Sequence, residues 1–249
     1  MIGKLLMRGL IIGLLAGILA FPVARIFGGP PVESAIAIEE QNSVAAGGGH
    51  GEAPLVSRDV QRTLGLGSGL LGYGAGIGGI LALVLAFANG RLGAISPRAA
   101  AATVAGLGFV SVVLVPGLIY PANPPAVGDP ETISYRSQLF GLTLLLSIAA
   151  MVVAVWLARR FAGSFGSWNA AIIAALGYLA FVGIVRLALP YINEVPDTFP
   201  ATVLWQFRIA SLLIQGALWT VIAIGLGVFT EREFLRPGPG PQRANLALR

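Results

Sequence analysis

Six stretches of the chain, residues 5–27, 68–89, 99–120, 138–158, 168–189 and 209–229, are apolar and contain no acidic residue. Each is about as long as the ~20 residues a helix needs to cross a bilayer. In hydrocarbon every backbone N–H and C=O must find a partner within the protein, which a helix supplies along its own length. The predicted class is therefore an all-α integral membrane protein of about six transmembrane helices. With 11% charged and 56% hydrophobic residues among 249, the bilayer is the natural solvent for the whole chain. A single membrane domain over residues 1–236 is expected, followed by a disordered cytoplasmic tail at 237–249. Lys4 and Arg8 before the first apolar run imitate a secretion signal. The run is long, and Pro22-Val23-Ala24 makes a poor cleavage site, so it is expected to remain as the first span.

Several chemistries are excluded by what the sequence lacks. It has no cysteine and one histidine, His50, which removes thiolate metal sites, disulfides, iron–sulfur clusters and a bis-histidine haem held within the chain. Its only lysine is Lys4, so no phosphate-cradling Walker loop can form, and no G-x-S-x-G nucleophile elbow occurs. No enzyme activity and no tightly bound cofactor are expected. The formal charge of +5 does not indicate nucleic acid, because the basic residues stand singly at helix ends without interleaved aromatics.

With six spans, both termini share one side with the loops after helices two and four. That side holds ten of the sixteen Lys and Arg residues, which by the positive-inside rule places both termini in the cytoplasm. The acidic residues divide more sharply. Glu33, Glu39, Glu40, Glu52, Asp59, Asp129, Glu131, Glu194 and Asp197 fall outside, and only Glu231 and Glu233 inside. The positive-inside rule hardly depends on carboxylates. Their segregation is a hint of function, or simply the acidity of wet outer loops.

The three outer segments resemble one another: GGPPVESAIAIEE from Gly28, YPANPPAVGDPETI from Tyr120 and LPYINEVPDTFPA from Leu189. An arginine follows each near the start of the next helix, at Arg62, Arg136 and Arg208. The pattern reads as three tandem helical hairpins, helices 1–2, 3–4 and 5–6, in one orientation. Because proline fixes φ and withholds an N–H, all three segments are expected to be ordered, non-helical crossings. Within the first outer loop, residues 41–54 contain the run from Gly47 to Glu52 and read as a flexible flap.

Gly74-x-Gly76-x-x-Gly79 matches a dinucleotide fingerprint but sits inside an apolar helix without the required preceding strand. The same glycines, with Gly65, Gly69 and Gly72, and with Gly9, Gly13 and Gly17 on helix one, form small-xxx-small spacings that suit close helix packing. A backbone-lined permeation path is the alternative. Arg25 and Arg186, at the outer ends of helices one and five, are read as snorkelling to water or pairing with the outer acids. Gln138, Gln206 and Gln215 are candidate interhelical hydrogen-bonders. Glu39, Glu40, His50, Asp129, Glu131, Asn193, Glu194 and Asp197 supply oxygen donors and one imidazole, a set suited to Mg²⁺, Mn²⁺ or Co²⁺. Structural salt bridging by the same acids is the competing reading.

The sequence resembles the CbtA family of predicted cobalt transporter subunits. The resemblance rests on Arg8-Gly9 with the glycine-rich first helix, PPVESAIAIEE, VSRDVQ from Val56, GRLG and SPR between Gly90 and Arg98, YPANPPAVGDPETI, and NEVPDTFPATVLWQFRIASL from Asn193. It implies a multi-pass protein of the bacterial inner membrane that imports Co²⁺ or a similar divalent cation. It also implies a small single-span partner, CbtB, with a histidine-rich end. Family members often carry several histidines after helix one, where this sequence keeps only His50. Two functions stand: a metal permease that captures cations on its acidic outer loops, and a non-transporting accessory or assembly subunit of a larger complex of membrane proteins.

Overall fold

The computed structural model describes residues 2–45, 57–93 and 95–234. Six helices are long and apolar enough to cross a membrane: α1 (Gly3–Ala45), α2 (Arg58–Ala88), α3 (Pro97–Ile119), α4 (Pro130–Phe165), α5 (Ser167–Ala188) and α6 (Ala201–Arg232). No strand occurs among the described residues. Leu15, Ile80, Leu118, Leu145, Leu176 and Ile224, one from each helix, lie exposed. In water such a surface would be an aggregation liability; here it is the face presented to lipid. The protein is a multi-pass helical membrane protein.

Four of the helices exceed the lengths hydropathy predicts, α1, α2 and α6 chiefly at the acidic end of the bundle and α4 at both ends. The extreme case is α1, whose 43 residues amount to about 65 Å, roughly twice the hydrocarbon thickness. Its last part, Gly29–Ala45, is helical. This corrects the expectation of a non-helical first crossing, and places 41–45 of the expected flap in the helix; the rest of the flap lies outside the described residues, as does the 237–249 tail. The helix meets the Pro30-Pro31 pair with a π-turn at Ala24–Gly28, where the Gly29 N–H reaches back to the Ala24 carbonyl. Widening the turn just before the prolines changes the hydrogen-bond register, so their missing N–H groups do not end the helix. The same device recurs in α3. There a π-turn at Val110–Leu114 precedes Pro116, and the Val115 N–H bonds to the Val110 carbonyl. The other two outer segments are non-helical as expected, between Ile119 and Pro130 and between Ala188 and Ala201.

Helices α1 and α2 run antiparallel with their backbones in contact. A methyl group added at Gly9 would overlap the Gly78 carbonyl, one at Gly13 the Gly74 carbonyl, and one at Gly17 would lie 2.6 Å from the Leu70 carbonyl oxygen. The overlap is reciprocal at Gly74 and Gly78. Small-xxx-small packing therefore accounts for these glycines. Gly69, Gly72 and Gly76 have open space beside them and take no part in that contact.

One apolar core joins α1, α2, α3 and α6 through Ile12, Ala16, Leu81, Leu85, Ala101, Val104, Leu218, Ile222 and Leu226. Trp219 belongs to it, edge-on to Phe109 with centroids 5.9 Å apart. Its indole N–H finds no acceptor among the described residues. A second core joins α4 and α5 to the outer half of α3 through Val115, Ile119, Ala154, Ala174, Tyr178 and Val185. Within it the Ser147 and Tyr178 hydroxyls are hydrogen-bonded at 2.8 Å, tying α4 to α5. These two helices are joined at the other end by Gly166 alone, whose φ of +78° gives the sharp reversal. The outer connections thus join helices 1–2, 3–4 and 5–6 as the repeat predicts. Packing distributes them differently: α5 lies chiefly on α4, and α6 lies on α3 and α1.

Candidate functional site

The three outer segments meet in a cap over the acidic end of the bundle. Ala35 of α1, Val127 of the α3–α4 connection and Phe199 of the α5–α6 connection form a small buried apolar cluster, with Ile38, Ala126, Val195 and Val203 around it. This cluster is what makes one surface of three sequence-distant loops.

Around it the repeat arginines do not all bind their own loops. Arg62 pairs with Glu33 of its own hairpin at 3.4 Å, and its neighbour Arg58 with Glu40 at 3.6 Å. Arg136, behind the second loop, pairs with Glu194 of the third at 3.2 Å. Arg208, behind the third loop, donates to the Ala122 carbonyl at 3.2 Å and to Asn123 Oδ1 at 3.0 Å, both in the second. The second and third repeats thus exchange arginines, each clamping the other's loop.

Glu194 is the centre of this exchange. Its carboxylate accepts from the Thr132 hydroxyl at 2.6 Å and from the Asp129 N–H at 2.8 Å, besides facing Arg136. These contacts, the Thr132 bond foremost, then the Asp129 amide and the Arg136 charge, hold its carboxyl below the usual carboxylate range against the opposing effect of desolvation. Arg136 also donates to the Thr132 hydroxyl and to the Asp129 carbonyl, at 3.1 and 3.0 Å. Gly128, at φ +113°, lets the guanidinium pass: a Cβ there would lie 2.5 Å from an Arg136 nitrogen. Asp129 itself caps the first turn of α4 through the Glu131 N–H at 2.9 Å.

The eight residues predicted as metal ligands therefore divide. Glu194 and Glu40 are ion-paired, Asp129 has one oxygen in a cap, and Asn193 Oδ1 accepts from the Val195 N–H at 3.4 Å. Glu39, Glu131 and Asp197 are exposed. Asp129 and Glu194 are brought together; His50 and Glu52 lie outside the described residues. Among the described residues no three His, Cys, Asp or Glu side chains gather closely enough to hold a metal ion. Thr132, which holds Glu194, was not anticipated, although its place four residues before Arg136 put the two side chains on one face of the helix start. Arg186 pairs with no carboxylate among the described residues; its guanidinium lies over the Tyr191 ring, 5.2 Å from the centroid. Of the three glutamines, Gln215 joins two helices, accepting from the Tyr73 hydroxyl at 3.1 Å, whereas Gln138 bonds within α4 to Ser134.

Six membrane-crossing helices under an acidic, arginine-clamped cap define a multi-pass membrane protein whose chemistry is that of charged groups at a membrane surface. Residues 2–231 match the family described as "Probable cobalt transporter subunit (CbtA)", and the chain belongs to that family. No curated protein and no solved structure matches it.

Proposed function

We propose that this chain is the membrane subunit of an uptake transporter for cobalt or a similar divalent cation, and that it receives the cation on its acidic, extracytoplasmic face. The family match across residues 2–231 is the observation that carries this reading. Glu39, Glu131 and Asp197, exposed on the cap, with the Asp129 oxygen not used in the helix cap and with His50, are the residues proposed to meet the cation. Hard carboxylate oxygens and an imidazole suit Co²⁺. Glu194 and Glu40 act instead by holding the cap together. A histidine-rich, single-span CbtB-like partner completing the donor set fits the scarcity of histidine in this chain.

A second reading, an accessory subunit without transport of its own, is favoured by two observations. No metal-sized group of ligands occurs among the described residues, and no carboxylate lies within the apolar spans, where proton-coupled transporters usually have one. Calorimetric titration of the purified full chain with Co²⁺ separates the two. Saturable binding, lost when Glu39, Glu131 and Asp197 are neutralised together, supports the first reading. Absence of binding in a chain that co-purifies stoichiometrically with another membrane protein supports the second.

A further inference from the structure

Most of the described arginines on the acidic face are satisfied: Arg58, Arg62 and Arg136 by carboxylates and Arg208 by oxygens of the second loop. Of the two others, Arg25 lies exposed, and Arg186 is set apart by its surroundings. It is half-buried in the last turn of α5, and stacks on Tyr191 although Glu131 and Asp197 lie exposed on the same face. Tyr135 and Arg186 both lie within electrostatic reach of the Tyr120 hydroxyl, which donates to the Pro190 carbonyl at 2.9 Å. The Tyr135 and Tyr191 hydroxyls make no hydrogen bond within the described residues. A cation therefore stacks on one phenol and lies near a second where the helices leave the membrane, with no carboxylate paired to it among the described residues.

On the membrane side of Arg186 the same flank of α5 is apolar: Leu179, two turns back, and Leu176 next to it are each 61% exposed. We propose that Arg186, with Tyr191 beside it, binds the phosphate of an anionic phospholipid, whose acyl chains lie along this flank of α5. A guanidinium is suited to phosphate by its planar fork of donors, and phenols collect at the depth of lipid headgroups. The adjoining exposed apolar side chains favour a lipid over a free phosphate ion, which would gain nothing from them.

The test is native mass spectrometry of the purified full chain titrated with phosphatidylglycerol, phosphatidylcholine as the neutral comparison. Wild type is expected to bind one phosphatidylglycerol in preference to phosphatidylcholine. Arg186→Gln weakens that binding about tenfold; Tyr191→Leu, which alters only an exposed ring, weakens it roughly two- to fivefold. Arg159→Gln, at the opposite end of α4, leaves it unchanged, and millimolar inorganic phosphate does not displace the lipid. The proposal is overturned by wild-type affinity in a folded Arg186→Gln chain, by equal loss in Arg159→Gln, or by displacement with inorganic phosphate, which would assign the site to a free anion. Should Arg186→Gln fail to fold, wild-type affinity in Tyr191→Leu overturns it equally.

Discussion

Glu194 and Arg136 are the ion pair that joins the second and third outer segments, and what they do follows from their partners. Because Glu194 is held below its ordinary range, its contribution to stability is complete above the unfolded carboxyl value of about 4.3 and is lost as pH falls through the lowered folded value. Protection of residues 189–200 against hydrogen exchange, taken relative to the intrinsic rate at each pH, should accordingly be high near neutrality and fall below about pH 4; in Glu194→Gln it should be low at every pH. A second residue-scale outcome concerns glycine. Gly13→Ala drives a methyl into the Gly74 backbone, and overpacking of this kind costs ~1–3 kcal/mol. Gly69→Ala meets open space and should be neutral or stabilising by up to ~1 kcal/mol; unfolding in detergent checks both. The arginines of the repeat were legible in the sequence from their spacing. That Arg136 and Arg208 cross over to each other's loop was not, since no periodicity governs how two irregular segments fold over one another. Likewise, the glycine spacings mark faces suited to close packing, but several registers overlap on α2, and only the facing backbone selects Gly74 and Gly78.

The spans themselves were the most legible part of the molecule, because the bilayer demands apolar length and hydropathy reports it. Helix ends were less so: hydropathy registers the lipid-matched section, whereas α1 and α2 continue into water where ion pairs between Glu33, Glu40, Arg58 and Arg62 tie them together. Pro30-Pro31 was misread for a similar reason. A proline pair normally ends a helix, and a π-turn placed to absorb it leaves no signature in residue type. At this scale α4 and α5 depend on one buried polar link. Ser147→Ala and Tyr178→Phe should each destabilise by about 0.5–1.7 kcal/mol. The double variant should cost no more than the sum less about 0.6 kcal/mol of coupling, measured as a double-mutant cycle in detergent.

At the scale of the whole molecule, two unequal cores carry the load. The α1, α2, α3, α6 bundle is tied by backbone contact, and the α4–α5 pair leans on the outer half of α3. Among the described residues, all three outer segments meet in the cap. Orientation across the membrane has a clean test, because the chain has no cysteine of its own. Asp197→Cys should react with an impermeant maleimide in intact cells, and Arg160→Cys only after permeabilisation; the reverse would turn the acidic face to the cytoplasm. The central claim, that the cap's exposed acids receive a divalent cation for transport, is tested most directly by radioactive cobalt accumulation in cells expressing the chain with its partner. Neutralising Glu39, Glu131 and Asp197 together, with the protein still folded and in the membrane, is predicted to abolish uptake at low cobalt; uptake equal to wild type would contradict it.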